Sequence, residues 1–386
     1  MSTIVTEAWV LYKGEDPNKP TRAELVKESF SFPELQGDEV LVEPLYGSWE
    51  GNMAHAVERR PVDVCRERGE DEVVLGNAGV VRVLKAEPAA HSVKEGDLCL
   101  IFGNGVHGKF GHMKKAFAYD APNTVGILAK RTKVPQRVLI PIPEGTRHSL
   151  LQWAAFPIRY ITAWANWQAA YGCLRVLMPE AVLPMPFVIG WGGGTTLAEL
   201  ELARLHDCQA AMVASHPSRL ELIGSLGITP IDRREFINLN FNERSYQSDP
   251  EFKKRYLESE GRFLQQIKYL TGGDGASIFI DYIGSPVFRA TIKATASPGV
   301  ITTAGWKGGL KLSLIRPIEC ISWHTYVHTH YATYAQGVEA VQFAEERGWV
   351  PKVEEFYRWD DVPVLARAYA DGETSSYFPL FQVNPL

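Results

Sequence analysis

A glycine-rich run, Val188-Ile-Gly-Trp-Gly-Gly-Gly-Thr-Thr-Leu, constrains the fold of this chain more than any other feature of its sequence. Apolar residues precede it, as in a buried strand, and Thr195–His206 follows with the Leu, Ala and Glu content of a helix. A glycine turn in this position lets backbone N–H groups approach a pyrophosphate at the positive end of the helix dipole. The context therefore predicts a dinucleotide site at Gly190, Gly192, Gly193, Gly194 and Thr195. Thr195 stands where a third glycine is usual, so it either lends its hydroxyl to the phosphate or loosens the site.

Strands and helices alternate around this turn. Strands are predicted at 186–190, 210–215, 276–281 and 299–305, with helices at 195–206 and 218–226 between them. Such alternation is typical of a parallel, doubly wound α/β sheet. The polar segment Asn238–Arg262 is expected to be a partly helical insertion on the surface. Before this region, short strands with Gly and Pro punctuation from Thr6 to Tyr119 predict a β-barrel-like module, and Leu150–Gln168 has the apolar spacing of a helix.

Composition limits the classes of function. With 386 residues the chain is long enough for two domains, and its net charge of −5 gives no electrostatic reason to expect nucleic acid or an anionic membrane as partner. The N-terminus lacks the features of a signal peptide, and no apolar run is long enough to span a bilayer, so we expect a cytoplasmic protein. The five cysteines lie far apart, which favours buried thiols over disulfides or a zinc site.

The end of the second strand predicts which nucleotide binds. Ala211-Met-Val-Ala-Ser ends without the Asp or Glu that would hold a ribose 2′-hydroxyl. Ser215 and Arg219 follow instead, and Arg233 and Arg234, just after the next strand, could join them. A hydroxyl and cations suit a 2′-phosphate, so the sequence favours NADPH over NADH. The alternative is that Arg219 forms only a surface salt bridge on its helix.

Several motifs resemble the medium-chain dehydrogenase/reductases in their order and spacing. They are Gly190–Thr195, Ser215-His-Pro-Ser-Arg, Leu270-Thr-Gly-Gly-Asp-Gly, Asp281-Tyr-Ile-Gly and Ile301-Thr-Thr-Ala-Gly, preceded by Gly76-Asn-Ala-Gly-Val-Val and Lys94-Glu-Gly-Asp-Leu-Cys. The resemblance implies a GroES-like catalytic domain (1–156 and 340–386) and an NADPH-binding Rossmann domain (157–339), with substrate between them. It also implies that Thr162 approaches the nicotinamide and that the protein is a homodimer or homotetramer.

Metal binding is not expected. Alcohol dehydrogenases of this family hold a catalytic zinc with cysteine and histidine, but Leu45-Tyr-Gly-Ser-Trp-Glu-Gly-Asn-Met contains no cysteine at the corresponding turn. His324, His328 and His330 lie close in sequence without an obvious third ligand. The resemblance therefore points to the zinc-independent branch, which reduces activated double bonds.

Within that branch, Asp232-Arg, the segment near Asp249 and Thr329-His-Tyr-Ala-Thr-Tyr resemble crotonyl-CoA carboxylase/reductases. The resemblance implies that the residues of their carbon dioxide pocket correspond to Asn52, Tyr119, Asp120 and His330 in this chain. Tyr replaces the family's Phe at 119, and Asp replaces Glu at 120. Amide and imidazole donors suit the oxygens of carbon dioxide, and an aromatic wall excludes water. Each residue also has a structural alternative, as a turn cap or a core side chain.

We therefore expect an NADPH-dependent reductase of α,β-unsaturated acyl thioesters, carried on CoA or a carrier protein. Hydride reaches the β-carbon, and the enolate is then protonated, with Tyr119 as a candidate donor. Arg159, Arg316 and Lys307 are candidate cations for the thioester carrier. The alternatives are reductive carboxylation with carbon dioxide at the α-carbon, a quinone or enone reductase, and a redox-silent NADPH-binding scaffold.

Overall fold

A computed structural model describes residues 3–386, and their contacts divide the chain into two units. The first unit contains the residues up to Ile161 together with Tyr331–Leu386, and the second contains Thr162–His330. These divisions differ from the predicted boundaries at 156/157 and 339/340. The second division comes earlier because the helix beginning at Tyr334 belongs to the first unit, where the Tyr334 hydroxyl donates to the Leu139 carbonyl.

The N-terminal part of the first unit consists of short strands and helices. The strands are β1 (Thr3–Tyr12), β2 (Val26–Pro33), β3 (Glu39–Ser48), β4 (Glu72–Val74), β5 (Gly79–Ala86), β6 (Leu98–Ile101), β7 (Asn104–His107), β8 (Met113–Ala116), β9 (Thr132–Pro135) and β10 (Leu139–Pro141). The helices are α1 (Gly51–Glu58), α2 (Val64–Arg68) and α3 (Leu150–Ala155), and α4 (Pro157–Leu177) begins in this unit. A capping box of Ser149 and Gln152 starts α3.

The second unit continues with alternating strands and helices. Its strands are β11 (Phe187–Trp191), β12 (Gln209–Ala214), β13 (Thr229–Asp232), β14 (Ala276–Asp281), β15 (Thr295–Thr303) and β16 (His324–His328). Its helices after α4 are α5 (Gly194–Leu205), α6 (Pro217–Ser225), α7 (Glu243–Ser248), α8 (Pro250–Leu270), α9 (Ser285–Ala294) and α10 (Arg316–Ser322). The strands form one parallel sheet in the order β13-β12-β11-β14-β15-β16. The predicted doubly wound α/β unit is confirmed.

Helix α8 corrects one expectation. The segment from Asn238 was predicted to be a surface insertion, but α8 packs Tyr256, Phe263 and Ile267 into the core of the second unit. Asp249 caps the helix by accepting from the Phe252 N–H at 3.0 Å. Its many charged residues concealed an apolar stripe at helical spacing, so α8 is the crossover helix between β13 and β14.

The C-terminal segment returns to the first unit as α11 (Tyr334–Arg347), α12 (Val362–Ala370) and β17 (Leu380–Gln382). Strand β17 pairs antiparallel with β3 and completes a six-stranded sheet, β10-β6-β5-β3-β17 with β9 also on β3. A second antiparallel sheet has the order β2-β1-β4. Within residues 3–386, no helix has both the length and the apolar content needed to cross a membrane.

Candidate functional site

The predicted glycine turn lies between β11 and α5, at the carboxyl edge of the parallel sheet. Gly190 and Gly192 leave no room for a side chain. A Cβ on Gly190 would lie 2.6 Å from Thr196 Cγ2, and one on Gly192 would lie 2.1 Å from Thr196 Oγ1. At Gly193, by contrast, a Cβ would meet no described atom within 4 Å. The backbone is therefore open to a ligand at Gly193, whereas the other two glycines allow α5 to pack closely on the sheet.

Helix α5 begins without a side-chain cap. Gly193 is its N-cap residue, and Gly194 is its first helical residue. The first N–H groups of a helix have no partner within the helix and carry its positive dipole end, so this start is suited to an anion. Thr195 lies half-buried on the first turn, while Thr196 is fully buried against the glycines. Thr195 therefore remains a candidate phosphate ligand.

The packing of Thr196 gives a first prediction. Gly190→Ala should lower the free energy of unfolding by about 1 to 3 kcal/mol, because its methyl group overlaps that of Thr196. Thr196→Ser removes the Thr196 methyl, so the double variant should recover most of the loss. Thermal unfolding of both variants and the wild type measures the effect. An unchanged melting temperature for Gly190→Ala would contradict this packing.

Two cationic side chains, Arg219 and Lys307, lie close to each other near the end of β12. Ser215 is exposed in the loop after this strand, and Arg219 is half-buried in α6. Partial burial lowers the pKa of the Lys307 ammonium, and the positive charge of Arg219 lowers it further. Lys307 follows β15, so two segments at the carboxyl edge bring cations close together. An anionic ligand would relieve their repulsion.

Arg233 has local partners in the loop after β13. Its guanidinium donates to the Phe236 carbonyl and, at 2.9 Å, to Asn240 Oδ1. Burial lowers the pKa of this guanidinium. Arg233 is thus held by its own turn. Ser215 and Arg219, which follow β12 directly, remain the predicted pair for a 2′-phosphate.

A buried polar network that is not predicted from the sequence lies in the second unit. Asn166 Nδ2 donates to both carboxylate oxygens of Glu199, at 2.9 and 3.1 Å, and the Tyr282 hydroxyl donates to Glu199 Oε2 at 3.1 Å. Thr302 and Thr329 donate to Asn166 Oδ1 at 3.0 and 2.7 Å. Asn166, Glu199 and Thr302 are completely buried. Burial raises the pKa of Glu199 from 4.5 to about 8, although the bonds from Asn166 and Tyr282 lower it.

The network adjoins another predicted residue. Thr162 is buried on α4, one helical turn before Asn166, and thus on the same side of that helix. The sequence did contain a signal for the network, because Glu199 occupies an inward position among Leu197, Ala198 and Leu200, all of which are buried. A carboxylate at such a position is uncommon unless it is hydrogen-bonded.

The three histidines have separate environments. His330 is exposed, with its ring centroid 5.9 Å from that of Trp306, and His328 is exposed on β16. His324 Nδ1 lies 2.8 Å from Glu319 Oε2, which also accepts a hydrogen bond from the Tyr326 hydroxyl at 2.5 Å. Across residues 3–386, no cluster of three His, Cys, Asp or Glu side chains is placed to hold a metal ion.

Asn52 lies on the first turn of α1 in the first unit, with its Oδ1 atom buried and without a hydrogen-bond partner among the described residues. Glu50, the N-cap residue of this helix, pairs with Arg159 at 2.5 Å. Burial raises the pKa of Glu50, and the charge of Arg159 opposes that shift. Both side chains are almost fully buried. Arg159 is therefore a structural cation and not part of a surface for a thioester carrier.

Tyr119 and Asp120 follow β8 in the same unit. Asp120 Oδ1 accepts from the Ala116 N–H at 2.6 Å, so this carboxylate stabilises its own turn. Tyr119 packs against the core that contains Met53, and burial, with a contribution from Asp120, raises its pKa to about 12. The phenol therefore remains protonated at neutral pH. His330 belongs to the second unit, whereas Asn52, Tyr119 and Asp120 belong to the first.

Comparison with solved structures defines the class of fold. A crotonyl-CoA carboxylase/reductase, AntE, in complex with NADP superposes with a TM-score of 0.80 at 19% identity, covering 98% of this chain and 94% of that one. An alcohol dehydrogenase from Aeropyrum pernix gives a TM-score of 0.73 at 18% identity, covering 97% of this chain and 99% of that one. The chain therefore has the medium-chain dehydrogenase/reductase fold, with a GroES-like and a Rossmann unit, as predicted.

Sequence comparison finds similarity that covers only part of the chain. A crotonyl-CoA reductase from Streptomyces collinus is 26% identical over 155 residues, which cover 40% of this chain and 33% of that protein. Quinone oxidoreductase-like protein 2 from Mus musculus is 26% identical over 228 residues, which cover 57% of this chain and 56% of that protein. The matches thus span from a third to just over half of these relatives. No protein-family model matches the chain.

Proposed function

We propose that the chain is an NADPH-dependent reductase of α,β-unsaturated acyl thioesters. The observation that carries the proposal is the open, uncapped start of α5 at Gly193, at the carboxyl edge of a doubly wound sheet. Similar structures include AntE with NADP and the 2-octenoyl-CoA carboxylase reductase CinF with NADP and 2-octenoyl-CoA, the latter 18% identical with a TM-score of 0.80 and covering 99% of this chain and 88% of that one.

The residues of the second unit fit NADPH. The open backbone at Gly193 and the first turn of α5 suit the pyrophosphate, with Thr195 as a further hydroxyl donor. Ser215 and Arg219 follow β12, where an acidic residue would favour NADH, and they suit the 2′-phosphate. Thr162 is the candidate contact to the nicotinamide. Bound NADPH would supply a hydride to the β-carbon of the substrate.

The chain's own groups would complete the reduction. Hydride addition moves the electrons of the double bond onto the thioester oxygen, and the resulting enolate then takes a proton at its α-carbon. Asn52 offers an amide that can orient the acyl group. Tyr119 keeps its proton at neutral pH, since its pKa is about 12, and it is the candidate proton donor.

Reductive carboxylation is the second candidate function, because crotonyl-CoA carboxylase/reductases are among the similar structures. The set corresponding to a carbon dioxide pocket is Asn52, Tyr119, Asp120 and His330. The Ala116 N–H donates to Asp120 Oδ1, so this carboxylate oxygen already stabilises the local turn. Together with the hydroxyl of Tyr119, this favours protonation over carboxylation.

The test of these alternatives is NADPH oxidation with crotonyl-CoA, with and without bicarbonate and carbonic anhydrase, followed by mass analysis of the product. We expect butyryl-CoA in both conditions. A product heavier by one carboxyl group would establish the carboxylase instead. Turnover of free enones or quinones in preference to thioesters would favour a quinone or enone reductase. Tight NADPH binding without any turnover would favour a redox-silent scaffold.

Tyr119→Phe tests the proton donor. It should lower kcat by about 100-fold or more, with little change in KM, because general acid catalysis typically contributes a factor of this order. Tyr12→Phe is the matched control, since Tyr12 is an exposed phenol of the same unit that hydrogen-bonds Glu28. Steady-state kinetics with crotonyl-CoA measures both variants. A Tyr119→Phe enzyme with wild-type kcat would remove Tyr119 from the mechanism.

We also propose that the protein forms a homo-oligomer through one edge of the second unit. Between β15 and β16, eight large apolar side chains are exposed, and we call them the apolar edge surface: Trp306, Leu310, Leu312, Leu314, Ile315, Ile318, Ile321 and Trp323. An accumulation of exposed large apolar side chains of this kind marks an interaction surface on a globular protein. Strand β16 is an edge strand without proline, whereas the opposite edge strand, β13, contains Pro230. A second copy could pair β16 with β16 and cover both surfaces about a twofold axis.

Ile321→Glu should dissociate this oligomer, because Ile321 is 79% exposed at the apolar edge surface. Val182→Glu makes the same change at a side chain that is 65% exposed elsewhere in the second unit, and it should leave assembly unchanged. Light scattering coupled to size exclusion measures the mass of each variant. A wild type that is monomeric at micromolar concentration would contradict the proposal.

A further inference from the structure

Glu199 is the residue from which a further inference follows. Its carboxylate is completely buried in α5, and neither of the two side chains that donate to it, Asn166 and Tyr282, carries a positive charge. An ionised carboxylate in such surroundings is costly, because it has lost water without gaining a cation. The uncharged acid is therefore the form that this environment accommodates best.

The network around Glu199 touches the glycine turn through Tyr282. The Tyr282 N–H donates to the Trp191 carbonyl at 3.2 Å, and its Cβ lies 3.0 Å from the position of a Cβ on Gly192. A Cβ on Gly305, in the loop after β15, would lie 3.0 Å from Tyr282 Cδ1. The Tyr282 side chain thus fills the space between the glycine turn and the loop after β15, while its hydroxyl is fixed by Glu199.

The other end of the network reaches the last strands of the sheet. Thr302 is the penultimate residue of β15, and Thr329 directly follows β16. Both donate to Asn166 Oδ1, whose own amide nitrogen donates to Glu199. One side chain of α5 is therefore connected to α4 and to the carboxyl ends of β14, β15 and β16. In sheets of this type, these ends face the bound nucleotide.

We propose that Glu199 is a positioning residue that holds these elements for NADPH in its uncharged form, and that its ionisation opposes nucleotide binding. The inference rests on the proposed function, because it assumes that NADPH occupies the start of α5. Glu199 lies five residues after Gly194, which is roughly 7 to 8 Å along the helix axis. A buried negative charge at that distance repels a pyrophosphate at the helix start.

Proton binding and nucleotide binding should therefore support each other. With its pKa raised to about 8, Glu199 is mostly protonated at pH 7 and mostly ionised at pH 9. An uncharged carboxylic acid can accept from Asn166 through one oxygen and donate to the Tyr282 oxygen through the other. Reciprocal linkage then requires NADPH affinity to fall as the pH rises through the pKa of Glu199.

The neighbouring titratable groups are unaltered by substitution at Glu199, so the comparison of variants separates their contributions. The buried carboxyl of Asp281, next to Tyr282, also has a raised pKa, and it accepts from Thr291 and from the Ile283 and Gly284 N–H groups. Tyr282 has a pKa raised well above 10 by burial and by Glu199, so it remains protonated over this range. His206, at the far end of α5, has its ring beside those of Trp167 and Tyr171. Arg204 donates to the Leu226 carbonyl. Lys307 faces Arg219 and is unaltered by substitution at Glu199, so comparison of variants separates its contribution.

The test compares wild type, Glu199→Gln and Glu201→Gln by the Kd for NADPH between pH 6.5 and 9.5. Gln mimics the protonated acid, because its oxygen accepts from Asn166 and its amide donates to Tyr282. We expect the wild-type Kd to rise roughly tenfold between pH 7 and pH 9, as expected one unit above a pKa of about 8. Glu199→Gln should bind like wild type at pH 7 and change much less with pH. Glu201→Gln removes a half-exposed carboxylate from the same helix and should keep the wild-type profile.

Thermal unfolding without nucleotide gives a second readout. Because the folded-state pKa of Glu199 is raised, its contribution to stability is complete below pH 4.5 and is lost as the pH rises through about 8. The melting temperature of Glu199→Gln, relative to wild type, should therefore be higher at pH 9 than at pH 6. If NADPH binds wild type and Glu199→Gln with the same pH profile, the inference is overturned while the proposed function stands. If wild type binds no NADPH at any pH while the melting curves behave as expected, the proposed function fails and the nucleotide linkage fails with it.

Discussion

Gly193→Asp is expected to lower NADPH affinity by 100-fold or more without lowering the melting temperature. The substitution should affect helix stability and NADPH affinity in opposite directions. Asp is a favoured N-cap residue, α5 has no side-chain cap, and a Cβ at 193 meets no described atom within 4 Å, so the helix should be slightly stabilised. The same carboxylate occupies the proposed pyrophosphate position and adds a negative charge there. Fluorescence titration with NADPH and thermal unfolding measure the two effects.

Gly193→Asn and Gly172→Ala are the controls for this prediction. Asn has nearly the size of Asp without the charge, so the difference between the two variants reports electrostatic repulsion. Gly172 is an exposed glycine of α4 with open space around it, and its substitution should leave NADPH binding unchanged. Undiminished NADPH affinity in Gly193→Asp would show that no phosphate lies at the start of α5.

Arg219→Ala is expected to weaken NADPH binding by roughly 10- to 100-fold while leaving NADH binding nearly unchanged. A hydrogen bond to a charged group typically contributes about 1.5 to 3 kcal/mol, and NADH lacks the 2′-phosphate that would accept it. The preference for NADPH should therefore largely disappear. Dissociation constants for both nucleotides, measured with the same preparation, test the prediction.

Arg234→Ala is the matched control for Arg219→Ala. Arg234 is a nearby cation of the same unit, but it is mostly exposed and pairs with Asp232. Its removal makes the same change in net charge, but its guanidinium is already held by Asp232. Equal weakening of NADPH and NADH by Arg219→Ala would assign Arg219 a structural role. If the two arginine variants weaken NADPH binding equally, Arg219 contributes only general electrostatic attraction and no specific bond to the 2′-phosphate.

The parts of the fold that depend on local pattern were predictable from the sequence. The glycine run, the buried strands on either side of it and the alternation with helices gave the second unit, because short-range spacing encodes a parallel sheet. Helix α8 was misjudged because its charged residues are frequent. Its buried face is formed by Tyr256, Phe263 and Ile267, and these few apolar residues change the average polarity of the segment very little.

The candidate site was less predictable, because its contacts join residues that are distant in sequence. The Glu199 network brings together positions from 166 to 329, and no local motif marks such a set. Asp120 was assigned a role by resemblance, whereas its hydrogen bond to Ala116 reflects the local turn. Similarly, Thr195 is the residue that departs from the usual glycine pattern, but it is Thr196 that packs on Gly190 and Gly192. Which neighbouring threonine is buried depends on how α5 is rotated on the sheet, and residue identity alone does not determine that rotation.

Hydride transfer from NADPH to the β-carbon of an enoyl thioester can be measured directly. Crotonyl-CoA is incubated with NADPH deuterated at C4, using each diastereomer in turn, and the product is analysed by mass and NMR. We expect a saturated thioester with one deuterium at the β-carbon from one of the two diastereomers. NADPH that is never oxidised, or deuterium found anywhere other than the β-carbon, would contradict this mechanism.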